Sequence, residues 1–448
     1  MRMTFPQRPN QKNITGIFRS PSKKTTQARP ELLKKITLLL MLSSAAYLSA
    51  ETPLNLNDCF GAALKRSETL ADRQELVIQS EERYRQAMGN IMPDINGYYS
   101  YSRHGSLGSG SEHTLKITAA QPLFRGFRDF AAISAGKSFI TAQEEARDWA
   151  GTQLYMDVVQ GFYTRLAVQK DLQLLDNEIG IYQKRINELQ DRVAIGRSRV
   201  TEVLAVKSAQ AILKAQRELV AGQLDTAREI LTFLTGYNQD IILDDTDQPP
   251  AKAEPLENYQ SMLDARPDIS AAKKNVEYFS SGVSAAKGER LPSADLLGDY
   301  NFPGKSRQDN GNWDAQIAVT LPVFSGGIIS SDIKIAESQK RQSEQQLSLV
   351  RRLALEDIRT IYHNLQADIA QSAALKDAFD IAEQNYKANI KDYELGLVTN
   401  LDVLLALTSY NDTARSLEKI RYQTKIDYNK LEAAAAKRLN LMGWSKQQ

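Results

Sequence analysis

Apolar residues recur along this chain with two different periods, and the two periods follow one another in the same order twice. In short segments every second residue is apolar, as in the run from Trp313 to Val323. In longer segments apolar residues stand three or four apart, as from Leu355 to Ile369. A period of two predicts β-strands with one apolar face, whereas three-four spacing predicts helices that pack as coiled coils. We therefore predict long helices after two pairs of strands, with the strands near residues 94–103, 113–123, 294–302 and 313–324.

Two uninterrupted helical runs are far longer than an ordinary globular helix. The run from Ile328 to Leu395 contains neither Pro nor Gly, and the run from Phe127 to Ala194 contains no Pro. Each has ~68 residues and would extend ~100 Å at the helical rise of about 1.5 Å per residue. Shorter helices are predicted to return along them, from Val200 to Thr235 and from Asn400 to Leu439. Each pair therefore predicts a long antiparallel helical hairpin.

The turns between these helices have matching sequences. "GRSRVTEVL" begins at Gly196 and "GLVTNLDVL" begins at Gly396. Glycine readily adopts the left-handed backbone that ends a helix, and Thr201 in the first turn, and Thr399 or Asn400 in the second, can cap the helix that follows. We interpret both turns as hairpin tips, although the turn of any helical hairpin would show the same features.

The two turns belong to a duplication that covers most of the chain. "QPLFRGF" follows the second strand of the first copy, and "LPVFSGG" matches it 200 residues later. The period is too long for a solenoid, so the unit is a duplicated module. We predict four segments after residue 50: a first repeat at 51–236, a Pro-rich acidic linker at 237–256, a second repeat at 257–440 and a tail at 441–448.

The first 50 residues differ in composition from the rest. Nine Lys and Arg and one acid precede Ile36, and the apolar run from Ile36 to Leu48 is followed by small residues up to Ala50. This pattern is typical of a secretory signal peptide, and ~13 apolar residues are too few to span a bilayer. We predict a signal peptide at residues 1–50. Without it, a chain of 56 basic and 54 acidic residues becomes mildly acidic, which argues against nucleic acid as a partner.

The residue types that carry most catalytic chemistry are scarce. The chain has three His, at 104, 113 and 363, and one Cys, Cys59, and they lie far apart in the sequence. A metal site or a nucleophile with its base needs several such groups to converge, and no Gly-rich phosphate loop is present. The sequence therefore predicts no enzyme, no cofactor and no metal site.

The predicted strands are amphipathic and too few to close on themselves. Strands of about ten residues with one apolar face suit the wall of a membrane barrel. Four strands cannot close a barrel, because the smallest closed ones have about eight, and an open sheet edge in lipid is prohibitive. If these strands meet lipid, several chains must share one barrel. The alternative is a soluble sheet that packs its apolar face on a helix.

The strand motifs "QPLFRGF" and "LPVFSGG" and the tip motifs "GRSRVTEVL" and "GLVTNLDVL" resemble those of the TolC family of outer-membrane efflux proteins. The resemblance covers nearly the whole exported chain, in both copies and in order. It implies a mainly α fold with a small β part: long helical hairpins form an α-barrel, and four strands per chain join a shared twelve-stranded transmembrane β-barrel. It also implies a homotrimer in outer-membrane lipid that extends into the periplasm.

The same resemblance implies a function and a set of site residues at the tips. Small molecules or proteins would pass from an inner-membrane transporter and a periplasmic adaptor (membrane fusion) protein through the channel. Adaptor docking is expected at Gly196, Arg197, Arg199, Gly396, Leu397 and Thr399. The two arginines replace the more usual apolar and small residues of the family, so docking at the first tip should be more charged.

The resemblance further places a pore constriction at the tips. Asp402 matches an acidic position of the closed pore, and Glu202 is its counterpart in the first copy. Val398 stands where the family has an arginine that holds the tip closed, and Leu405 replaces a second pore acid. Tyr393 remains and is expected to hydrogen-bond Glu202. We therefore expect weaker closure than is usual in the family, although both acids are also what the first turn of any helix favours.

Two other functions compete with the channel. A structural periplasmic coiled-coil protein or adaptor without a pore would have the long hairpins but would need no alternating strand pairs. An enzyme is disfavoured by the scarcity of His, Cys and nucleotide-binding motifs.

Overall fold

The computed structural model describes residues 53–103, 111–238, 241–248, 251–303 and 312–437. The predicted signal peptide at 1–50 and the predicted tail at 441–448 lie outside the described residues. The chain from Pro53 onward forms one compact unit. Within the described ranges, no helix combines the length and the apolar character needed to cross a membrane.

The first repeat contains two short helices, two strands and a long helical hairpin. The elements are, in order, α1 (Leu56–Arg66), α2 (Glu68–Gly89), β1 (Asp94–Arg103), β2 (Ser111–Arg125), α3 (Arg128–Ala194) and α4 (Val200–Thr235). Helix α3 has 67 residues, because no proline interrupts it. Its predicted length and its return helix α4 are confirmed.

The second repeat has the same order of elements. They are α5 (Leu256–Ser261), α6 (Pro267–Gly288), β3 (Ser293–Asn301), β4 (Asn312–Thr320), α7 (Ile328–Glu394) and α8 (Asn400–Ala434), with a short 3₁₀ turn at Leu263–Ala265 before α6. The prediction that α8 runs to Leu439 is wrong. Its regular backbone ends at Ala434, and Ala436 takes a left-handed φ of 57°.

Equivalent prolines affect the two repeats differently. Pro322 follows the end of β4 at Thr320, so the predicted extension of this strand to residue 324 is wrong. Pro122 lies within β2, where the register with β3 shifts between Pro122 and Phe124. A proline has no N–H to donate, so a strand accommodates it at a bulge or ends before it.

The four strands form one antiparallel sheet in the order β1-β2-β3-β4. The register aligns apolar residues on one face: Tyr99 faces Leu115, Ile117 faces Tyr300, and Tyr300 faces Trp313. No described part of the chain covers this face, since Trp313 is 75% and Ile317 66% exposed. The alternative of a soluble sheet that packs its apolar face on a helix is therefore contradicted.

The helices pack side by side in a layer. Helix α3 contacts α4 and α8 along the hairpins, and it contacts α2 and α6 nearer the sheet. Helix α7 packs on α8 and α6. The layer therefore runs α4-α3-α8-α7 through the two hairpins, with α4 and α7 at its edges.

A buried arginine joins the second repeat to the rest of the layer. Arg266, 1% exposed, donates to both carboxylate oxygens of Asp268, at 3.1 and 2.8 Å, and to the backbone carbonyl of Ala434 at 3.3 Å. Its guanidinium also lies 4.5 Å from the ring of Trp149. A buried charge is tolerated when its hydrogen bonds are satisfied in this way, so one side chain ties α3, α6 and α8 together.

Candidate functional site at the helical hairpin tips

Both hairpins end in the same backbone motif. We call residues 192–202 tip one and residues 392–402 tip two. Gly196 and Gly396 have φ of 72° and 75°, and each begins a Schellman motif. In tip one the Arg197 N–H donates to the Arg192 carbonyl at 2.8 Å; in tip two the Leu397 N–H donates to the Asp392 carbonyl at 2.8 Å. The predicted left-handed glycines are confirmed.

The two tips start their second helices differently. Thr399 is the N-cap of α8, and it exchanges hydrogen bonds with Asp402 in a capping box. Arg199 occupies the equivalent place before α4 and makes no side-chain cap. The prediction that Thr201 caps α4 is wrong, because α4 already begins at Val200 and Thr201 lies inside its first turn. A missing cap typically costs about 1 kcal/mol.

The Asp402 carboxylate is hydrogen-bonded to the N-cap residue of its own helix. Its carboxylate accepts from the Thr399 backbone N–H at 2.8 Å and from the Thr399 hydroxyl at 2.6 Å. These hydrogen bonds, the one from the hydroxyl first, lower the pKa of Asp402. The carboxylate is therefore ionised at neutral pH whether or not it also faces a pore.

A cluster of buried side chains lies directly behind the tips and joins the two hairpins. We call it the tip cluster; its members include Tyr182, Leu189, Val206, Tyr393 and Leu407, which come from α3, α4, α7 and α8. The Tyr182 and Thr408 hydroxyls are 3.2 Å apart. Burial raises the pKa of Tyr182, so its hydroxyl stays protonated and available for this hydrogen bond. The tips are therefore packed against each other in this chain.

Tyr393 makes a different contact from the one predicted. Its ring receives two guanidinium groups from the first hairpin, that of Arg185 at 4.0 Å and that of Arg192 at 4.6 Å from the ring centre. In the described part of the chain no hydrogen bond joins it to Glu202, which instead accepts from the Ser198 hydroxyl at 2.5 Å. The predicted Tyr393–Glu202 hydrogen bond is therefore absent, because the Glu202 carboxylate accepts a hydrogen bond from Ser198 in the same turn.

Arg185 also reaches the start of α8. Its Nε donates to the Asn400 side-chain oxygen at 2.9 Å, and one of its terminal nitrogens is 2.8 Å from a Glu188 carboxylate oxygen. Asn400 is buried. One arginine of the first hairpin thus binds both the last turn of α7, through Tyr393, and the first turn of α8.

The remaining predicted site residues lie on the surface. Arg197, Arg199, Leu397 and Leu405 are all exposed, and Leu397 is 72% exposed. Val398 packs against the tip cluster. The structure therefore separates an outer set available to a partner from an inner set that joins the hairpins.

Comparison with known proteins identifies the family. The family model described as outer membrane efflux protein matches residues 60–237 and 258–437, one match in each repeat. The chain belongs to this family. The two matches coincide closely with the duplicated units, so the internal repeat is a property of the family fold.

Known relatives of this efflux protein cover most of its length. Outer membrane efflux protein BepC of Brucella suis is 24% identical and the match covers 83% of this chain and 84% of BepC. Outer membrane protein TolC of Vibrio cholerae is 26% identical over 74% of this chain and 79% of TolC. The crystal structure of the outer membrane protein VceC of Vibrio cholerae superposes with a TM-score of 0.76, at 20% identity, over 85% of this chain and 95% of VceC.

These findings confirm three predictions for this efflux protein: its family, its mainly helical fold with four strands, and its outer-membrane location. Among the described residues, no group of three or more His, Cys, Asp and Glu side chains is placed to hold a metal ion.

Sequence reasoning missed two residues at the tips of this efflux protein. Arg185 and Asn400 join the hairpins, yet Arg185 was not predicted and Asn400 was considered only as a possible helix cap. The sequence does indicate a role for Arg185, since this charged residue lies within the apolar stripe of Tyr182, Ile186 and Leu189. A charged residue on a stripe that faces a neighbouring helix needs a partner there, and this partner could have been sought on the second hairpin.

Proposed function

We propose that three copies of this chain form an export conduit that crosses the outer membrane and extends through the periplasm. The observation that carries the proposal is a four-stranded sheet with an exposed apolar face, whose edge strands pair with no further strand among the described residues. The same chain continues into helices of ~100 Å. Such a sheet is unstable alone in lipid, because each unpaired backbone group there costs several kcal/mol.

The sheet supports sharing of strands between copies. Strands β1 and β4 form its edges, so β4 of one copy can pair with β1 of the next. Three copies supply twelve strands, the number that the TolC family resemblance implies. The aromatic and aliphatic face with Tyr99, Tyr300, Trp313 and Ile317 would meet lipid, and the opposite face would line the passage.

The helical layer supports the same arrangement. Helix α4, at one edge, exposes an apolar stripe of Ile212, Leu219, Ile230 and Phe233, and α7, at the other edge, exposes Ile335 and Ile381. Stripes of this kind normally pack against another helix. The contact of α4 with α7 of the next copy would close the layer into a hollow cylinder.

Transport through the channel would need no catalytic group in the channel wall. The lumenal face of the sheet carries polar side chains such as Asn96, Thr118, Asp299, Asp314 and Gln316. A polar, water-filled lumen allows solutes through without binding them tightly. Small molecules or proteins would enter from an inner-membrane transporter through a periplasmic adaptor, and the tips would be the docking surface.

The tips would also control opening. We place the constriction at Glu202, Asp402 and Leu405, and we assign closure within each chain to the contacts of Arg185 and Arg192 with Tyr393 and of Arg185 with Asn400. Cation–π contacts of this type are worth about 0.5–2 kcal/mol each. Closure by such contacts is compatible with a tip that opens when a partner docks.

The test is ion conductance in a planar lipid bilayer. The purified trimer should show small, stable conductance, and Arg185→Ala should raise it several-fold because the two hairpins lose their link. Arg217→Ala is the matched control, since Arg217 makes an exposed ion pair with Asp176 at 3.0 Å and such pairs contribute little.

Two results would contradict the proposal. A protein that gives no channels and migrates identically on a gel with and without heating would favour the pore-less coiled-coil alternative. Channels whose conductance is unchanged by Arg185→Ala would keep the conduit but remove Arg185 from its closure.

A further inference from the structure

The two tips carry net charges of opposite sign. Tip one, residues 192–202, has three arginines and one glutamate. Tip two, residues 392–402, has two aspartates, one glutamate and no basic residue. The backbone turns are the same, so the difference lies in what each tip offers to a partner.

Two of the three arginines in tip one have no acidic partner in the part of the chain that the structure describes. Arg192 is 3.1 Å from a Glu188 carboxylate oxygen and stacks on Tyr393. Arg197 and Arg199 are exposed, and among the described residues neither forms an ion pair. Both precede the first residue of α4, where the positive end of the helix dipole disfavours a cation. An acidic group from outside the chain would offset this unfavourable placement.

A neighbouring copy of the chain would present the uncharged residues Leu397 and Thr399 to these arginines. Arg192 stacks on Tyr393, and Arg185 bonds Asn400, so the two tips of one chain are level. If a second copy packs its α7 beside α4 of the first, its Leu397 and Thr399 would therefore lie beside Arg197 and Arg199. In the described structure Asp392 and Glu394 form no ion pair, and they lie at the end of α7, five and three residues before Leu397 in the chain.

Tip two exposes apolar side chains without cations, whereas tip one combines its arginines with exposed Ile195 and Val200. Leu395, Leu397 and Leu401 are all exposed in tip two, and in the described structure the carboxylate of Asp402 is used by Thr399. A partner would therefore bury leucine side chains at tip two and pair with arginines at tip one.

We propose that tip one binds acidic side chains of the periplasmic adaptor, whereas tip two binds the adaptor through its exposed leucines. The inference rests on the proposed docking function of the tips and adds the chemistry of the partner. The two docking sites of each chain are then not equivalent: tip one is sensitive to salt and tip two is not, because salt screens exposed charges and leaves apolar burial in place.

The experiment first obtains the adaptor and then measures its affinity. A photo-crosslinking residue at position 397 of the full-length protein in cells captures the adaptor, which is identified by mass spectrometry and purified as the probe. The double variant Arg197→Glu/Arg199→Glu should bind this adaptor about tenfold more weakly than wild type at ~0.05 M salt, and nearly as well at ~1 M salt. Lys207→Glu/Lys214→Glu makes the same change of charge on the exposed surface of α4 and should bind as wild type does.

The outcomes separate the inference from the proposed function. Crosslinks from position 397 only to other copies of this chain would overturn adaptor docking itself. An adaptor that binds the arginine double variant as tightly as wild type at low salt would leave docking in place and overturn the acidic contact. A crosslinker at position 197 that reaches Asp392 or Glu394 of a second copy would assign the arginines to the contact between copies and overturn the inference as well.

Discussion

Gly196 and Gly396 show how a single residue sets the shape of a tip. Both have positive φ, and an added Cβ would meet no atom within 4 Å at either position. The requirement is therefore one of backbone conformation and not of space. A residue with a Cβ loses roughly 1–2 kcal/mol in the left-handed region.

We predict that Gly396→Ala lowers the thermal unfolding midpoint of the detergent-purified protein, by an amount corresponding to about 1 kcal/mol. Gly180→Ala is the control, because Gly180 lies inside α3 with open space around it, and alanine there should be neutral or stabilising. Circular dichroism on heating measures both. Equal midpoints for the two variants would show that the glycine turn carries no strain cost.

A second residue-scale feature is a pair of carboxyl groups between α7 and α8. The pKa of Asp368 is raised to about 6, first by burial and then by the nearby carboxyl group of Asp427. Asp427 is itself buried and accepts a hydrogen bond from the Gln423 amide at 3.1 Å. The folded protein therefore retains a proton that the unfolded chain, with its ordinary pKa of 3.8, has already released.

This pair predicts a pH dependence of a definite sign. Because the folded state binds more protons than the unfolded state between pH values of roughly 4 and 6, stability should fall as the pH rises through this window. Asp368→Asn removes the ionisation, so its unfolding midpoint should exceed that of wild type at pH values above about 7, with the difference shrinking towards pH 4. Thermal melts across this range measure it. A variant whose melting curve follows that of wild type at every pH would rule out the raised pKa of Asp368.

At the scale of elements, strand β4 shows how register assigns a chemical face. Ile317 faces Leu296, and its neighbour Gln316 faces Leu297 on the other side of the sheet. Both side chains are exposed in the single chain. Exposure alone therefore does not distinguish the face that would meet lipid from the face that would meet water, whereas the pairing does.

We predict that Ile317→Lys strongly reduces assembly into the outer membrane, while Gln316→Lys is tolerated. A lysine on the lipid face of a barrel costs about 2–4 kcal/mol near the bilayer midplane, but a lumenal lysine stays hydrated. The amount of heat-modifiable protein in the outer-membrane fraction measures the difference. Equal loss in both variants would mean that the register does not separate a lipid face from a lumenal face.

At the scale of the whole molecule, much of the apolar surface lies at the edges of the layer. The stripe of α4 and the exposed residues of α7 lie on opposite edges, and strands β1 and β4 form the two edges of the sheet. The helical layer and the sheet therefore each have two edges at which another helix or strand could pack. Side-by-side association of copies would complete both parts together.

We predict that Phe233→Asp weakens this association. Phe233 is exposed on the stripe of α4, and an aspartate there would bury an unpaired charge between copies, which costs several kcal/mol. Lys214→Asp, on another face of the same helix, should leave the trimer intact. Native mass spectrometry in detergent measures the oligomer, and a stable trimer of Phe233→Asp would show that this part of α4 lies outside the contact.

The local pattern of the sequence determined the elements, because period and backbone preference are properties of neighbouring residues. Alternation located the strands, the absence of proline gave α3 and α7 their length, and glycine located both tips. The duplication and its motifs also predicted the family. What the sequence left open depends on residues far apart in the chain.

Only the tertiary structure decided the order of the strands, the level alignment of the tips and the partners of the site residues. Arg185 and Asn400 are 215 residues apart, and no periodicity links them. The same limit explains why Tyr393 was assigned to Glu202: both residues were correctly located at the tips, but the hydroxyl of Ser198 lies nearer to Glu202. Which group a side chain bonds to depends on which groups lie near it in the folded protein, and this depends on how all the helices of the layer pack.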